Sequence, residues 1–551
     1  MQHRKFQFPI VQLSISFLLI FSIVFSGCSS FTNKSANTNQ TAQNEISTVP
    51  VATTSNMATM TNTGTTMARD AIVVEEESPS GGERYAEINE NPFLESARAP
   101  LSTFSIDVDT ASYANVRRFL NDGQKPPADA VRIEELINYF VYDYPQPVGD
   151  VPFSVVTEAA SCPWNPKHKL ALIGLQGKQV SLDNLPPSNL VFLVDVSGSM
   201  NEPAKLPLVK QGLKMLVNQL SAKDRVAIVV YAGTSGLVLP STSGERRKEI
   251  LNAIDNLEAG GSTNGGQGIQ LAYRVAQENF LNGGNNRVIL ATDGDFNVGV
   301  TGDDELVRLI ENKRQSGVFL SVLGFGSGNY NDSMMEKLSN KGNGNYAYID
   351  SLEEARKALG QQIAGTLYTI AKDVKIQVEF NPAQVAGYRL IGYENRLLAD
   401  RDFNDDRKDA GEIGAGISVT ALYEIVPAGQ TIENPGVDEL KYSTPVESVG
   451  TNGSELLTVK LRYKKPDENE SRLLSIGLAN AQNQFESASE NLRFAASVAG
   501  FGLLLRDSRY KGNASWNNVL NIARNSRGND LKGYRAEFVE IVEKARRVSR
   551  G

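Results

Sequence analysis

Residues 190–199 read LVFLVDVSGS. Leu190–Val194 is apolar without alternation, as expected of a parallel strand buried on both faces. The run ends in Asp195, and Ser197 and Ser199 follow on alternate residues, so one carboxylate and two hydroxyls can turn to a common point. Outward from this stretch the same unit recurs. RVAIVVY (225–231), RVILATDGD (287–295), VFLSVLGFG (318–326) and NYAYID (345–350) read as further strands. Amphipathic stretches separate them. The first carries Val209, Leu213, Leu216, Val217 and Leu220 on one face. Others are ERRKEILNAIDNL (245–257), TNGGQGIQLAYRVAQENF (263–280), DDELVRLIENKRQSG (303–317), NDSMMEKLSNKG (331–342) and SLEEARKALGQQIAG (351–365). Buried strands alternating with amphipathic helices predict an α/β, doubly wound, Rossmann-like domain over 186–368 with a mostly parallel sheet.

Open α/β sheets bind ligands beyond the carboxyl ends of their strands. That edge should present Asp195, Ser197 and Ser199 from the first strand and Asp293 from RVILATDGD. The loop GGSTNGG (260–266) adds Thr263 where a helix opens. These five are hard oxygen donors with no His or Cys among them, which suits Mg²⁺ or Mn²⁺ and disfavours Zn²⁺ or Cu²⁺. The alternative is an unused strand-end cluster in which Asp195 caps a helix.

The order D-x-S-x-S, then a Thr after a glycine-rich turn, then T-D-G, resembles the metal-ion-dependent adhesion site of von Willebrand factor type A (vWA) domains. The resemblance implies that Ser197 and Ser199 coordinate the ion directly, and Thr263 directly or through water. Asp195 and Asp293 would act mostly through bridging waters and hydroxyls. It also implies an open coordination position that a protein partner fills with an Asp or Glu side chain. Neutral hydroxyl ligands leave the ion electrophilic, so an incoming carboxylate gains strongly. The flanks FSIDVDTASYANVRRFL (104–120) and DFNDDRKDAGEIGAGISVTALYEI (402–425) resemble bacterial vWA lipoproteins of the YfbK type.

At the amino end, basic His3, Arg4 and Lys5 precede an apolar run from Phe8 to Phe25 and then Ser26-Gly27-Cys28. This pattern reads as a secretory signal over 1–27. Its end resembles the lipobox of bacterial lipoproteins, which implies lipidation of Cys28 and a place in the cell envelope. In a Gram-negative host, Ser29 after the cysteine would suggest the outer membrane, facing the periplasm or the surface. Residues 28–85 are rich in Ser, Thr, Asn and Ala with few large apolar side chains, and read as a polar tether.

Residues 86–185 read as a small α+β region associated with the vWA domain. Residues 369–480 form a β-rich, sandwich-like region with strands VKIQVEF (374–380), GYRLIGY (387–393), ISVTALYEIV (417–426) and LLTVKLRYK (456–464). Residues 481–551 form a helical region in which Phe538, Ile541, Val542 and Ala545 share one face.

Composition bounds the function. Lys+Arg number 55 against 63 Asp+Glu, a net charge of −8, which argues against a nucleic-acid binder. The two histidines are His3 and His168, and the two cysteines Cys28 and Cys162, so multi-histidine metal sites and a disulfide framework are excluded. A Cys162–His168 nucleophile pair is weighed against a turn with a buried thiol, and the turn is favoured. Asp402, Asn404 and Asp406 stand at calcium-loop positions, but Arg407 and Ile413 occupy the places of its Gly and Glu, which favours a polar turn. Asp107, Asp109 and Ser112 are read as an N-cap of the next helix rather than a second metal site.

The expected function is a non-enzymatic, membrane-anchored module that binds an acidic residue of a protein partner through Mg²⁺, with no small-molecule substrate. A second reading is an envelope assembly factor that binds through its β-rich and helical regions. A metal-dependent hydrolase is disfavoured for want of a general base.

Overall fold

The computed structural model describes residues 82–181, 185–261, 265–294, 303–432 and 453–550. The signal, Cys28, almost all of the tether and Thr263 lie outside the described residues. All described residues belong to one compact unit, Glu76–Gly551.

The first elements are β1 (Leu94–Glu95), β2 (Leu101–Ser105), α1 (Ala111–Asn121), α2 (Ile133–Asn138), β3 (Phe153–Cys162) and β4 (Asn165–Gly177). The vWA domain follows. It runs β5 (Ser188–Asp195), α3 (Leu206–Val217), β6 (Arg225–Tyr231), β7 (Ser235–Ser243), α4 (Arg247–Asp255), α5 (Gly265–Glu278) and β8 (Asn285–Thr292). It closes with α6 (Asp303–Arg314), β9 (Phe319–Phe325), α7 (Asp332–Lys341), β10 (Tyr346–Ile349), α8 (Leu352–Arg356) and α9 (Ile363–Leu367). Its strands lie in the order β10-β9-β8-β5-β6-β7. All neighbours are parallel except β6 and β7.

The apolar run of β5 has the expected cause. Leu190, Phe192 and Val194 pack under α3, α4, α8 and α9, while Val191 and Leu193 face α5, α6 and α7. The second face also receives Ala111 and Ala114 of α1, so the amino-terminal flank completes the vWA core. β7 was not foreseen. Its Pro240 and serines hide the strand pattern, and its place at the sheet edge is where a proline is tolerated. The helix expected over 351–365 is also broken. Gln362 N–H donates to the Lys357 carbonyl five residues back (2.9 Å), a π-turn between α8 and α9.

The carboxyl half adds β11 (Thr369–Phe380), β12 (Val385–Ile391), β13 (Gly411–Gly414), β14 (Ser418–Pro427), β15 (Glu455–Lys464) and β16 (Arg472–Ala479), then α10 (Glu490–Arg506), α11 (Trp516–Asn525) and α12 (Tyr534–Val548). The flanks 86–185 and 369–480 do not stack as separate bodies. One sheet is β1-β12-β14-β4-β3, and the other is β13-β11-β15-β16 with β2 also on β11. Strands from both sides of the vWA domain thus build a single sandwich. Val419, Ala421, Tyr423 and Ile425 of β14 point into its core, while Leu422 turns outward onto the helices. Helix α10 is apolar all round because it is central there. Its Phe494 and Phe501 meet Phe538 of α12 at ring-centroid distances of 5.6 and 5.3 Å.

Candidate metal site at the strand ends

Strand β5 lies between β6 and β8, where chain connections leave in opposite directions. This is the switch point at which a doubly wound sheet opens a crevice. Asp195 ends β5, and its Oδ1 accepts the Ser197 backbone N–H (2.9 Å), which turns the chain sharply. Ser197 Oγ and Ser199 Oγ are thereby brought 3.0 Å apart. Across the crevice, Thr292 at the end of β8 donates its hydroxyl to Asp195 Oδ2 (3.3 Å), and Asp293 follows directly. The glycine-rich loop is stitched to the same place. Gly260 N–H donates to the Val196 carbonyl (2.7 Å) and Gly198 N–H to that of Gly261 (3.0 Å). Four of the five sequence-predicted residues therefore converge, and Thr263, the fifth, lies outside the described residues.

Asp195, Ser197 and Asp293 are buried, whereas Ser199 is exposed. Burial pushes the Asp195 carboxyl up to about 6, with the Asp293 charge adding and the Ser197 N–H offsetting. Two buried carboxylates beside two hydroxyls, open on one side, form a donor set that fits a hard divalent cation. Lys205 went unnoticed in the sequence. Its Nζ lies 3.2 Å from Asp293 Oδ2. Nothing in its spacing marked it among the lysines of that loop and helix.

The weaker candidates resolve differently. Asp107 and Asp109 do not cap α1, whose Ser112 N–H donates to Glu135 Oε2 from α2 (2.8 Å). Asp107 Oδ1 instead accepts Asp109 N–H (2.9 Å), Asp109 accepts Tyr346 N–H (2.7 Å), and both carboxylates pair with Arg396 (3.0 and 3.2 Å). Ser112 donates its hydroxyl to the Ala130 carbonyl (2.7 Å). A long-range cation outcompeted the local cap. Asp107, Asp109 and Arg396 line a cavity of about 420 Å³ where β10 begins, at the opposite edge of the vWA sheet.

In the 402–406 turn, Asn404 Oδ1 accepts from Arg462 (3.1 Å) and Asp406 Oδ2 from Ser471 N–H (3.2 Å), while Lys408 sits 3.3 Å from Asp402. The oxygens are thus shared among separate partners. His168 Nδ1 lies 2.6 Å from Glu424 Oε1, and Trp164 and Arg389 hold the other oxygen (3.0 and 3.1 Å). Burial raises the Cys162 thiol, so it stays protonated and non-nucleophilic. Among the described residues, no group of three or more His, Cys, Asp or Glu is placed to hold a metal.

Comparison with known proteins agrees with this architecture. Residues 189–362 match the von Willebrand factor type A domain, 79–172 a family described as von Willebrand factor, and 365–548 one described as "Uncharacterized protein YfbK, C-terminal". "Uncharacterized protein YfbK" of Escherichia coli (strain K12) is 46% identical over 84% of this chain and 81% of its own length. "E3 ubiquitin-protein ligase WAV3" of Arabidopsis thaliana is 22% identical over 46% of this chain and 35% of that protein. Among solved structures, a von Willebrand factor type A protein from Catenulispora acidiphila is 15% identical and covers 69% of this chain and 88% of that one, with a TM-score of 0.41. On the extent of the match to the Escherichia coli protein, joined to the vWA sheet order, the chain belongs to the YfbK family of vWA-domain proteins.

Proposed function

We propose that this protein is a membrane-tethered binding module whose vWA domain uses Mg²⁺, or Mn²⁺, to capture an Asp or Glu side chain of a protein partner. The observation that carries the reading is the one-sided opening of the strand-end cluster. Asp195, Ser197 and Asp293 are buried oxygen donors, and exposed Ser199 leaves the remaining face to solvent. When bound, the ion supplies a Lewis-acidic position that favours a carboxylate. The chain's own residues orient it: the Asp195 turn sets the two hydroxyls side by side, and Thr292 holds the second Asp195 oxygen. vWA domains mediate protein interactions, which supports the same reading.

The module acts without catalysis in this reading. His168 is engaged by Glu424 in the sandwich, and Lys205 and Asp293 engage each other. The leader and Cys28 supply the membrane anchor, and the bacterial envelope is the compartment.

A pull-down from envelope extract tests the proposal. The full chain in mild detergent is compared in Mg²⁺ and in EDTA, and as wild type and Asp195→Ala. The expected result is a partner retained only by wild type with Mg²⁺, and lost when its contacting acidic residue is changed to the amide. Capture of that partner in EDTA, or by Asp195→Ala, overturns the metal-mediated mechanism.

A further inference from the structure

Lys205 stands at the inner wall of the cluster and is 3% exposed. A buried ammonium is tolerated only with a charged or strongly polar partner. Here Nζ lies 3.2 Å from Asp293 Oδ2 and 3.7 Å from Glu202 Oε1. These two carboxylates differ in position. Asp293 is fully buried in the cluster, whereas Glu202 is 64% exposed on the rim. The lysine stem runs across Gly326, whose φ is +75°, and a Cβ there would collide with Lys205 Cγ, Cδ and Cε. The glycine thus keeps open the channel through which the ammonium reaches Asp293.

We propose that Lys205 is a built-in counter-cation of the strand-end site, which neutralises Asp293 when no divalent ion is bound and competes with that ion for it. This rests on the reading of the cluster as a cation site. Two positive groups on one buried carboxylate repel strongly, because little solvent screens them. A lysine is a point charge on a flexible stem and can yield its place. Glu202 is the partner to which it moves, since a modest swing carries Nζ from the buried carboxylate to the rim. The competition lowers intrinsic metal affinity. It also couples the metal to the partner, because an incoming carboxylate restores the charge balance that Lys205 and the dication together upset. By linkage, the acidic ligand then tightens the metal as much as the metal tightens the ligand.

The experiment is a Mn²⁺ titration of the full chain in mild detergent, read by loss of the free Mn²⁺ electron paramagnetic resonance signal. Wild type is expected to bind one Mn²⁺, and Lys205→Met to bind it at least tenfold tighter. Lys205→Met should also show a larger rise in melting temperature on adding Mn²⁺, since its metal-free cluster lacks the Lys205 charge. Unchanged or weaker binding by folded Lys205→Met overturns the proposal. If that variant does not fold, Glu202→Gln decides. It removes only an exposed carboxylate, and at least threefold weaker binding is expected because Lys205 loses its alternative partner. Unchanged affinity in Glu202→Gln would then overturn the proposal. Failure of wild type and of both variants to bind Mn²⁺ would overturn the cation-site reading itself, and this proposal with it.

Discussion

Arg117 grips Asp350 with two nitrogens, Nε at 2.8 Å and Nη2 at 2.5 Å, joining α1 of the amino-terminal flank to the end of β10 in the vWA domain. The same guanidinium meets Glu354 of α8 (2.7 Å) and Glu537 of α12 (3.2 Å). Three stretches of chain hundreds of residues apart converge on one buried cation. Removing it leaves the buried Asp350 carboxylate without its cation, while Glu354 keeps the Tyr139 hydroxyl (2.8 Å) and the Lys357 charge. Arg117→Met should cost about 3–5 kcal/mol of unfolding free energy, read from urea denaturation. A loss under about 1 kcal/mol would mean that the flanks and the vWA domain hold together without this cation.

Ser197→Ala and Thr263→Ala should each weaken Mn²⁺ binding about tenfold or more. Their circular dichroism spectra and melting temperatures in EDTA should stay near wild type. Each change deletes an oxygen donor and leaves the β5 backbone turn, which Asp195 maintains. Retained affinity in both variants would remove these residues from the ion's coordination shell.

Glu134 gives a pH signature. It is buried beside Glu394, Asp107 and Glu135, with Arg506 as the offsetting cation, and burial first and the Glu394 charge next push its carboxyl up to about 8 from 4.5. The folded state then holds a proton that the unfolded chain has released, so this group's contribution falls as pH rises through that window. Glu134→Gln freezes the neutral form. Relative to wild type it should gain about 1 kcal/mol or more between about pH 5 and about pH 8, measured by denaturant titration at each pH. A difference that is flat across the window would show Glu134 to be ionised in the fold.

Phe538 is fully buried where Phe140, Phe494 and Phe501 meet, with ring centroids at 5.4, 5.6 and 5.3 Å. Phe538→Ala should cost about 3–5 kcal/mol, because the cavity opens between α10 and α12 and cannot collapse easily. A cost below about 1.5 kcal/mol in urea denaturation would indicate that the helical layer repacks freely.

Cys28→Ser should release the chain from membranes into the aqueous phase of a detergent partition, if the anchor is a lipid on that cysteine. Retention of the variant in the detergent phase would point to the apolar run Phe8–Phe25 as the anchor instead.

The parallel strands of the vWA sheet were legible because they are largely buried on both faces, whereas the exposed edge strand β7 was not. Leu190–Val194 has no polar position to confuse the pattern, and the helices between strands keep their apolar stripes. The candidate site was legible for a related reason. Strand ends in such a sheet have a known edge, so Asp195 and Asp293 could be placed together without coordinates. The sandwich was less so. VKIQVEF and ISVTALYEIV announced strands, but which strands pair is set by contacts hundreds of residues apart. β4 pairs with β14, and β2 with β11, across the whole length of the intervening vWA domain. The N-cap reading of Asp107 and Asp109 failed for the same reason. A local rule lost to Arg396, which the fold delivers from almost 290 residues away in the chain.

What the sequence by itself determined is what short-range pattern can carry: the doubly wound domain and the strand ends that bring its switch-point oxygens together. What only the tertiary structure decided is which charges share the interior. Lys205 against Asp293 and Arg117 against Asp350 are buried ion pairs. A buried charge requires a partner wherever the fold can bring one, and no spacing along the chain reveals which partner that is.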